Sequence, residues 1–288
     1  MKSQKTPQRY SFPMENGGRI TEFFYEYEGE RKRALVYLPR AVDLEPDERF
    51  PVFTLCHGGG GSENDFLGGI EGKTTLKSVF DHLIAEEILA PTIVVTPTYA
   101  RRNSEDARFQ LDAAQSLTER FWKEWKNALI PAVDAAFPTI ADRDGRAFGG
   151  FSMGAEATWS ALAWGGDAAR YYLPMSGDFW VVSIKGGADH TSETCDRLIA
   201  AMEQNGLKPG DCEVFAATGT NDIAYSAMRP MVEELFTRAP WFGDAEKGGN
   251  LCWCVSDGAH SYEWCVDYMA QGLPRFFPGK GFHGEAIV

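Results

Sequence analysis

Six short apolar runs, rich in β-branched and aromatic residues, constrain this chain more than any other feature; each ends in a cluster of glycine or polar residues. They occupy residues 52–56, 92–96, 146–151, 171–175, 213–217 and 251–255. A continuous apolar run of this length is the signature of a strand buried on both faces. Segments of helical length and period lie between them, over 75–88, 111–137, 155–164, 193–205, 224–237 and 261–271. Parallel neighbours cannot be joined by a tight turn, so each crossover needs a returning helix. The order predicts an α/β fold with a mainly parallel central sheet and helices on both faces. Ahead of it, 20–28 and 33–38, separated by a turn containing Gly29, read as an antiparallel hairpin at the sheet edge. Neither a linker nor an internal repeat interrupts residues 1–288, which are read as one domain.

In an open sheet of this kind ligands bind outside the carboxyl ends of the strands. The unusual residues of this sequence fall there: HGGGG after the first core run, SMG after the third, SGDFW after the fourth, TGTND after the fifth and SDGAH after the sixth. Five such clusters at one pole point to a shared pocket. Within it, Gly150-Phe151-Ser152-Met153-Gly154 fits G-x-S-x-G and stands between a strand and a helix, the context that motif requires. Glycines two residues to either side let the backbone bend and the hydroxyl project.

Serine is a weak nucleophile unless a base lies within hydrogen-bond reach. Of the five histidines, His260 follows the last core strand and comes after Ser152, as the Ser, Asp/Glu, His order of this motif requires. His82 lies in a helical pattern, His190 in a polar loop and His283 in the tail, whereas His57 belongs to the glycine run and is expected to brace it. The acid that orients the imidazole should end a neighbouring strand between the two. Asp222 meets that description and is favoured over Asp178, which also ends a strand, and over Asp257, which shares the short loop of His260. An acyl transfer also needs two backbone amides for its oxyanion. Met153, the residue after the serine, supplies one, and the His57–Gly61 run can supply the other. No Gly-Lys-Ser/Thr ending follows that run, so it does not read as a phosphate loop.

Asp and Glu outnumber Lys and Arg by 41 to 28, with no basic run, so a nucleic-acid backbone would be repelled. No apolar stretch approaches the roughly 20 residues of a membrane helix, and the first residues lack the apolar centre of an export signal. The six cysteines fit no paired zinc pattern and read as free, core-packed thiols, with Cys252 and Cys254 on one strand face. Neither metal nor cofactor is implied. Trp122, Trp125 and Trp159 fall in helical patterns and read as core, whereas Trp180 and Trp264 adjoin the polar clusters and are candidates for aromatic contact with a substrate.

The segments LCHGGGGSENDF, IVVTPTY, FGGFSMGAEATW, LPMSGDFW, FAATGTNDIAY and GAHSYEWC together resemble the feruloyl esterases of carbohydrate esterase family 1, especially the bacterial modules attached to xylanases. The similarity runs from about Tyr37 to Phe277, with the motifs in the family's order. It implies an α/β-hydrolase fold and a Ser, Asp, His triad that cleaves ferulate and related hydroxycinnamate esters from the arabinose branches of xylan. By motif, Ser152 matches the nucleophile, Asp222 the acid and His260 the base, while Gly59 and Met153 match the oxyanion donors. Asp178 and Trp180 fall in the segment that lines the pocket in that family. The resemblance further implies an extracellular life. Two stretches depart from it. Ala155-Glu156 replaces a Gly-rich helix start and is expected to alter helix packing only, and 100–107 differs in composition where a pocket wall is expected. Acetylxylan esterase and a catalytically silent carbohydrate-binding module are the competing readings.

Overall fold

The computed structural model describes residues 1–99 and 111–282. The edge hairpin forms from β1 (Arg19–Tyr27) and β2 (Glu30–Leu38), turning at Glu28 and Gly29, both with positive φ. After a single turn, α1 (Ala41–Leu44), the sheet continues with β3 (Val52–Cys56), followed by the single turn α2 (Asn64–Leu67) and α3 (Thr75–Ala85). β4 (Ile93–Pro97) leads to α4 (Leu111–Glu124), then α5 (Ile130–Ala136) and β5 (Arg146–Phe151). α6 (Met153–Gly165), β6 (Tyr171–Met175), the single turn α7 (Gly186–Asp189) and α8 (Thr191–Gln204) follow. The chain ends its described part with β7 (Glu213–Asn221), α9 (Tyr225–Leu235), β8 (Leu251–Ala259) and α10 (Tyr262–Phe276).

All eight strands form one sheet in the order β1-β2-β4-β3-β5-β6-β7-β8. The first two pairings in that order are antiparallel and the rest parallel, so the expected hairpin sits at the edge of a parallel sheet. Side chains alternate across a strand, and the sheet divides the core accordingly. Val52 and Cys56 of β3, Phe148 of β5 and Val214 and Ala216 of β7 join one cluster with Trp125, Trp159 and Leu198. Phe53, Leu55, Ala147, Phe215 and Ala217 join the other with Phe80 and Leu83 of α3 and Tyr268 and Leu273 of α10. Each fully buried Phe or Leu here contributes about 1.5–3 kcal/mol relative to an exposed one. Two helical layers therefore pin the strands, and because β3, β5, β6, β7 and β8 are parallel, their carboxyl ends meet at one edge.

Two boundaries differ from the sequence expectation for physical reasons. The helix expected over 111–137 is interrupted by a π-helical turn, Trp125–Leu129, immediately before Pro131. Proline has no amide to return to the carbonyl of Asn127, and the wider turn relieves that mismatch. It also places the Trp125 indole N–H 3.1 Å from Thr54 Oγ1, which accepts it inside the core. β7 and β8 run to Asn221 and Ala259, well beyond the apolar runs, with a register irregularity between Gly219 and Asn221. Polar and small residues stay in strand there because Gly219 pairs with Ser256 and Asn221 with Ala259. Among the described residues no helix is long and apolar enough to cross a membrane.

Candidate active site

At the end of β5 the chain turns through Ser152, whose backbone holds φ 58° and ψ −114°, into α6. A non-glycine residue kept in such a region costs about 1–3 kcal/mol, so its surroundings must over-determine it. They do. A Cβ on Gly154 would lie 2.3 Å from the carbonyl oxygen of Cys56, and one on Gly150 would lie 2.6 Å from that of Gly154 and 2.7 Å from that of Cys56. These are backbone atoms that cannot swing aside. The two glycines are therefore required by the close passage of β3 beneath the turn rather than by a left-handed backbone of their own. Gly177, after β6, is held to the same limit by the Ser152 carbonyl, 2.7 Å from its would-be Cβ.

A second close approach brings the other two loops together. A Cβ on Gly219 of β7 would fall 2.1 Å from the carbonyl of Gly258 in β8, so the carboxyl ends of these strands can touch only with glycine there. Asn221 Nδ2 donates to the Asp257 carbonyl across the same gap at 2.8 Å. The result sets Asp222 and His260 side by side, with His260 Nδ1 2.7 Å from Asp222 Oδ1 and His260 Nε2 3.0 Å from Ser152 Oγ. A carboxylate only accepts, so Nδ1 carries the proton and Nε2 presents its lone pair to the serine hydroxyl. An imidazole so placed can take the serine proton as the oxygen attacks an acyl carbon, with Asp222 stabilising the imidazolium that forms.

Asp222 is poised for that work. Burial opposes its charge, but hydrogen bonds from His260, Ser176 and the Ala224 amide outweigh it and hold its carboxyl below the usual range. Ser176 itself sits at φ 59° directly after β6, with its amide donating to the Ala217 carbonyl. The sequence reading missed Ser176 because a serine in SGDFW carries no signal of its own. It also missed Phe151, whose ring packs 4.5 Å from that of His260 and limits how the imidazole can rotate.

The remaining candidates separate. Met153 is the first residue of α6, so its amide has no helical carbonyl one turn back and is free to meet an anion. Gly59 is exposed within the glycine run. Asp178 is buried and engaged, accepting from the Trp180 indole N–H at 3.1 Å and from the Gly187 amide at 2.9 Å. Trp180 is half-buried beside it. Trp264 lies under the Lys5 ammonium, 3.2 Å from its ring centre, and packs over Gly258, so it braces the histidine loop from the N-terminal side. The Asp257 carboxyl is not the partner of His260; that residue is exposed, and only its carbonyl is tied, to Asn221.

His57 is buried, with Nδ1 bonded to the Gly58 carbonyl at 2.8 Å, and burial lowers its pKa, so it stays neutral within the loop. His82 stacks on Tyr10, His190 is exposed, and His283 lies outside the described residues, as does the stretch 100–107. Trp125 and Trp159 are fully buried core, and Trp122 packs partly buried against them. All six cysteines are buried and unbonded to one another. Among the described residues no group of three or more His, Cys, Asp or Glu side chains is placed to hold a metal ion.

Glu156, one turn into α6, is more than a packing substitution. Its carboxyl is fully buried, Oε1 accepts from Ser160 Oγ at 2.9 Å, and Oε2 has no hydrogen-bond partner among the described residues. Burial pushes its pKa up to about 8, against an opposing pull from the Thr118 and Ser160 hydroxyls. The folded protein thus keeps a proton that the unfolded chain releases above its ordinary value of 4.5, and stability falls with rising pH between the two. Glu156→Gln, neutral at every pH, is expected to raise the melting temperature at pH 8 by about 2–4 °C for each kcal/mol relieved, and to leave it unchanged at pH 4. Thermal unfolding at both pH values measures this. An equal shift at the two would rule out a buried proton as the cause.

The sheet order and the hydrogen-bonded serine, histidine and aspartate at its carboxyl edge define an α/β-hydrolase of the serine-esterase class. A family model described as "Putative esterase" matches residues 26–165. The likeness to the feruloyl esterases of carbohydrate esterase family 1 read from the motifs of this chain is borne out.

Over 284 residues the chain is 31% identical to endo-1,4-beta-xylanase Y of Acetivibrio thermocellus, covering 94% of this chain and 24% of that protein. It is 37% identical over 149 residues to an endo-1,4-beta-xylanase/feruloyl esterase of Xylanibacter ruminicola, covering 50% of this chain and 19% of that one. The chain thus spans a quarter or less of the length of these two relatives. Among solved structures, a serine-to-alanine variant of the feruloyl esterase module from Clostridium thermocellum, complexed with sinapinate, superposes with a TM-score of 0.80 at 29% identity, covering 100% of this chain and 98% of that one.

Proposed function

We propose that this chain is a carboxylic-ester hydrolase that releases ferulate or related hydroxycinnamates from arabinoxylan-type polysaccharide or its oligosaccharides through an acyl-enzyme. The observation that carries the reading is the unbroken line from Asp222 Oδ1 through the His260 ring to Ser152 Oγ, with bonds of 2.7 and 3.0 Å. In it Ser152 is the nucleophile, His260 first the general base and then the general acid, and Asp222 the group that fixes the tautomer. The Met153 and Gly59 amides receive the oxyanion, and Asp178 and Trp180, next to the β6 end, face the aromatic acyl group. Residues 1–288 act as one catalytic unit.

The substrate class is supported by the relatives, one named a xylanase and the other a xylanase/feruloyl esterase, and by the solved neighbour, a feruloyl esterase module that holds sinapinate, a hydroxycinnamate. Neither acetylxylan esterase nor a silent carbohydrate-binding module is favoured by any of them. Turnover of methyl ferulate should exceed that of acetylated xylan per ester group by at least about tenfold in kcat/KM, the scale of discrimination a shaped apolar pocket gives. A preference for acetate would overturn the substrate assignment while leaving the triad in place.

A further inference from the structure

Tyr262, two residues beyond His260 and the first residue of α10, stands where the glycine run, the serine turn and the imidazole meet. Its hydroxyl accepts the Gly58 amide N–H at 2.8 Å and donates to Asp65 Oδ2 at 3.0 Å. Its ring centre lies 4.7 Å from that of Phe151 and 4.9 Å, edge-on, from that of Phe66. One side chain thus ties the loop after β3 to Phe151, the ring that packs against His260.

The glycine run is shaped around this phenol. A Cβ on Gly61 would fall 2.9 Å from the Tyr262 hydroxyl and 2.2 Å from Asp65 Oδ2; one on Gly58 would fall 3.2 Å from the hydroxyl and 3.1 Å from the Phe151 ring. A side chain at Gly61 would have to displace the Asp65 carboxylate, and one at Gly58 would press against both the phenol and the Phe151 ring. The Gly58 amide is already spent on Tyr262 and the Gly61 amide on the Gly58 carbonyl, which leaves the exposed Gly59 and Gly60 to offer amides to a ligand. Burial raises the pKa of the phenol, so it remains neutral around pH 7 and can accept from Gly58 and donate to Asp65 at once.

We propose that Tyr262 is a positioning residue for the oxyanion loop, holding the Gly58 amide and Asp65 with one hydroxyl so that the Gly59 N–H is aimed at the oxygen that becomes charged. This rests on the reading of Ser152 as nucleophile. A donor held in place before the reaction acts chiefly on the charged transition state and little on the bound ester.

Tyr262→Phe keeps the ring and its packing while removing the hydroxyl. It is expected to lower kcat for methyl ferulate about 10–100-fold with KM changed less than about threefold, a fraction of what deleting a donor outright costs. Affinity for a trifluoromethyl ketone ester analogue, which forms a tetrahedral adduct on serine, should fall by the same factor, and affinity for free ferulate should stay. A merely structural tyrosine would lower the melting temperature without this split. Wild-type kcat and ketone affinity in Tyr262→Phe, or a loss confined to KM, would overturn the proposal.

Asp65→Ala leaves the bond to Gly58 but releases the far side of the phenol, and a smaller loss in kcat, in the same direction, is expected. Should Tyr262→Phe fail to fold, an unchanged kcat in Asp65→Ala would overturn the proposal by itself. Fluorophosphonate labelling of the wild type separates the two levels. Labelled Ser152 with unchanged variants sinks the role of Tyr262 alone, and an unlabelled Ser152 sinks the nucleophile beneath it as well.

Discussion

Ser152→Ala is expected to lower the rate of methyl ferulate hydrolysis by on the order of 10³–10⁶-fold and to abolish fluorophosphonate labelling. The span reflects how much of the acceleration survives without the nucleophile, since oriented amides can still favour attack by water. The fold should be little affected. Ser152 makes its backbone bonds through atoms the substitution keeps: its amide donates to the Met175 carbonyl at 2.9 Å, and its own carbonyl accepts from Ala155 at 2.9 Å and Glu156 at 3.2 Å. Alanine inherits the strained φ, so the cost of that conformation is nearly equal in both proteins. Circular dichroism and thermal unfolding check the fold, and a rate assay checks the chemistry. A folded variant that still hydrolyses methyl ferulate at a wild-type rate would remove Ser152 from the mechanism.

The sequence made the sheet and the serine turn legible for a simple reason. Parallel strands buried on both faces read as apolar runs, and close backbone approach permits only glycine, so Gly150, Gly154 and the run after β3 stand out without any knowledge of contacts. The ends of β7 and β8 were not legible in the same way. Residues 218–221 and 256–259 are polar or small and read as loop, yet the ladder between Gly219 and Ser256 and between Asn221 and Ala259 carries them on as strand. Composition reports burial, and these residues pair without being apolar.

Tyr262 illustrates a further limit. Its importance lies in a hydrogen bond to an amide 204 positions earlier, and no local pattern marks that distance. Glu156 is a third case. α6 is buried nearly all round, so a single acid within it reads as a packing change until Oε2, with no hydrogen-bond partner among the described residues, is seen. Trp264 is a fourth case: the Lys5 ammonium lies 3.2 Å from its ring centre, a contact with the N-terminal residues that its nearness in sequence to His260 does not signal.

Asp222→Asn should cost about 10⁴-fold in kcat while leaving the three side chains nearly superimposable on their present positions. The present carboxylate can only accept, which forces the proton onto His260 Nδ1 and leaves Nε2 open towards Ser152 Oγ. An asparagine can turn its NH₂ to the ring instead, and the imidazole then takes the other tautomer, with a proton facing the serine and no lone pair to receive its hydrogen. Nothing need move for the base to be lost.

The same substitution has a signature in stability. Asp222 has a folded pKa below its unfolded value, so its ionised form contributes stability that is fully present above about pH 4 and is lost as pH falls through the folded value. The neutral amide removes that component. The gap in melting temperature between Asp222→Asn and the wild type should therefore be widest at pH 6–7 and should close below the folded pKa. A variant with near wild-type kcat would show that the tautomer is set elsewhere. A gap that ignores pH would show that the carboxylate charge contributes nothing to holding the β7 and β8 loops together.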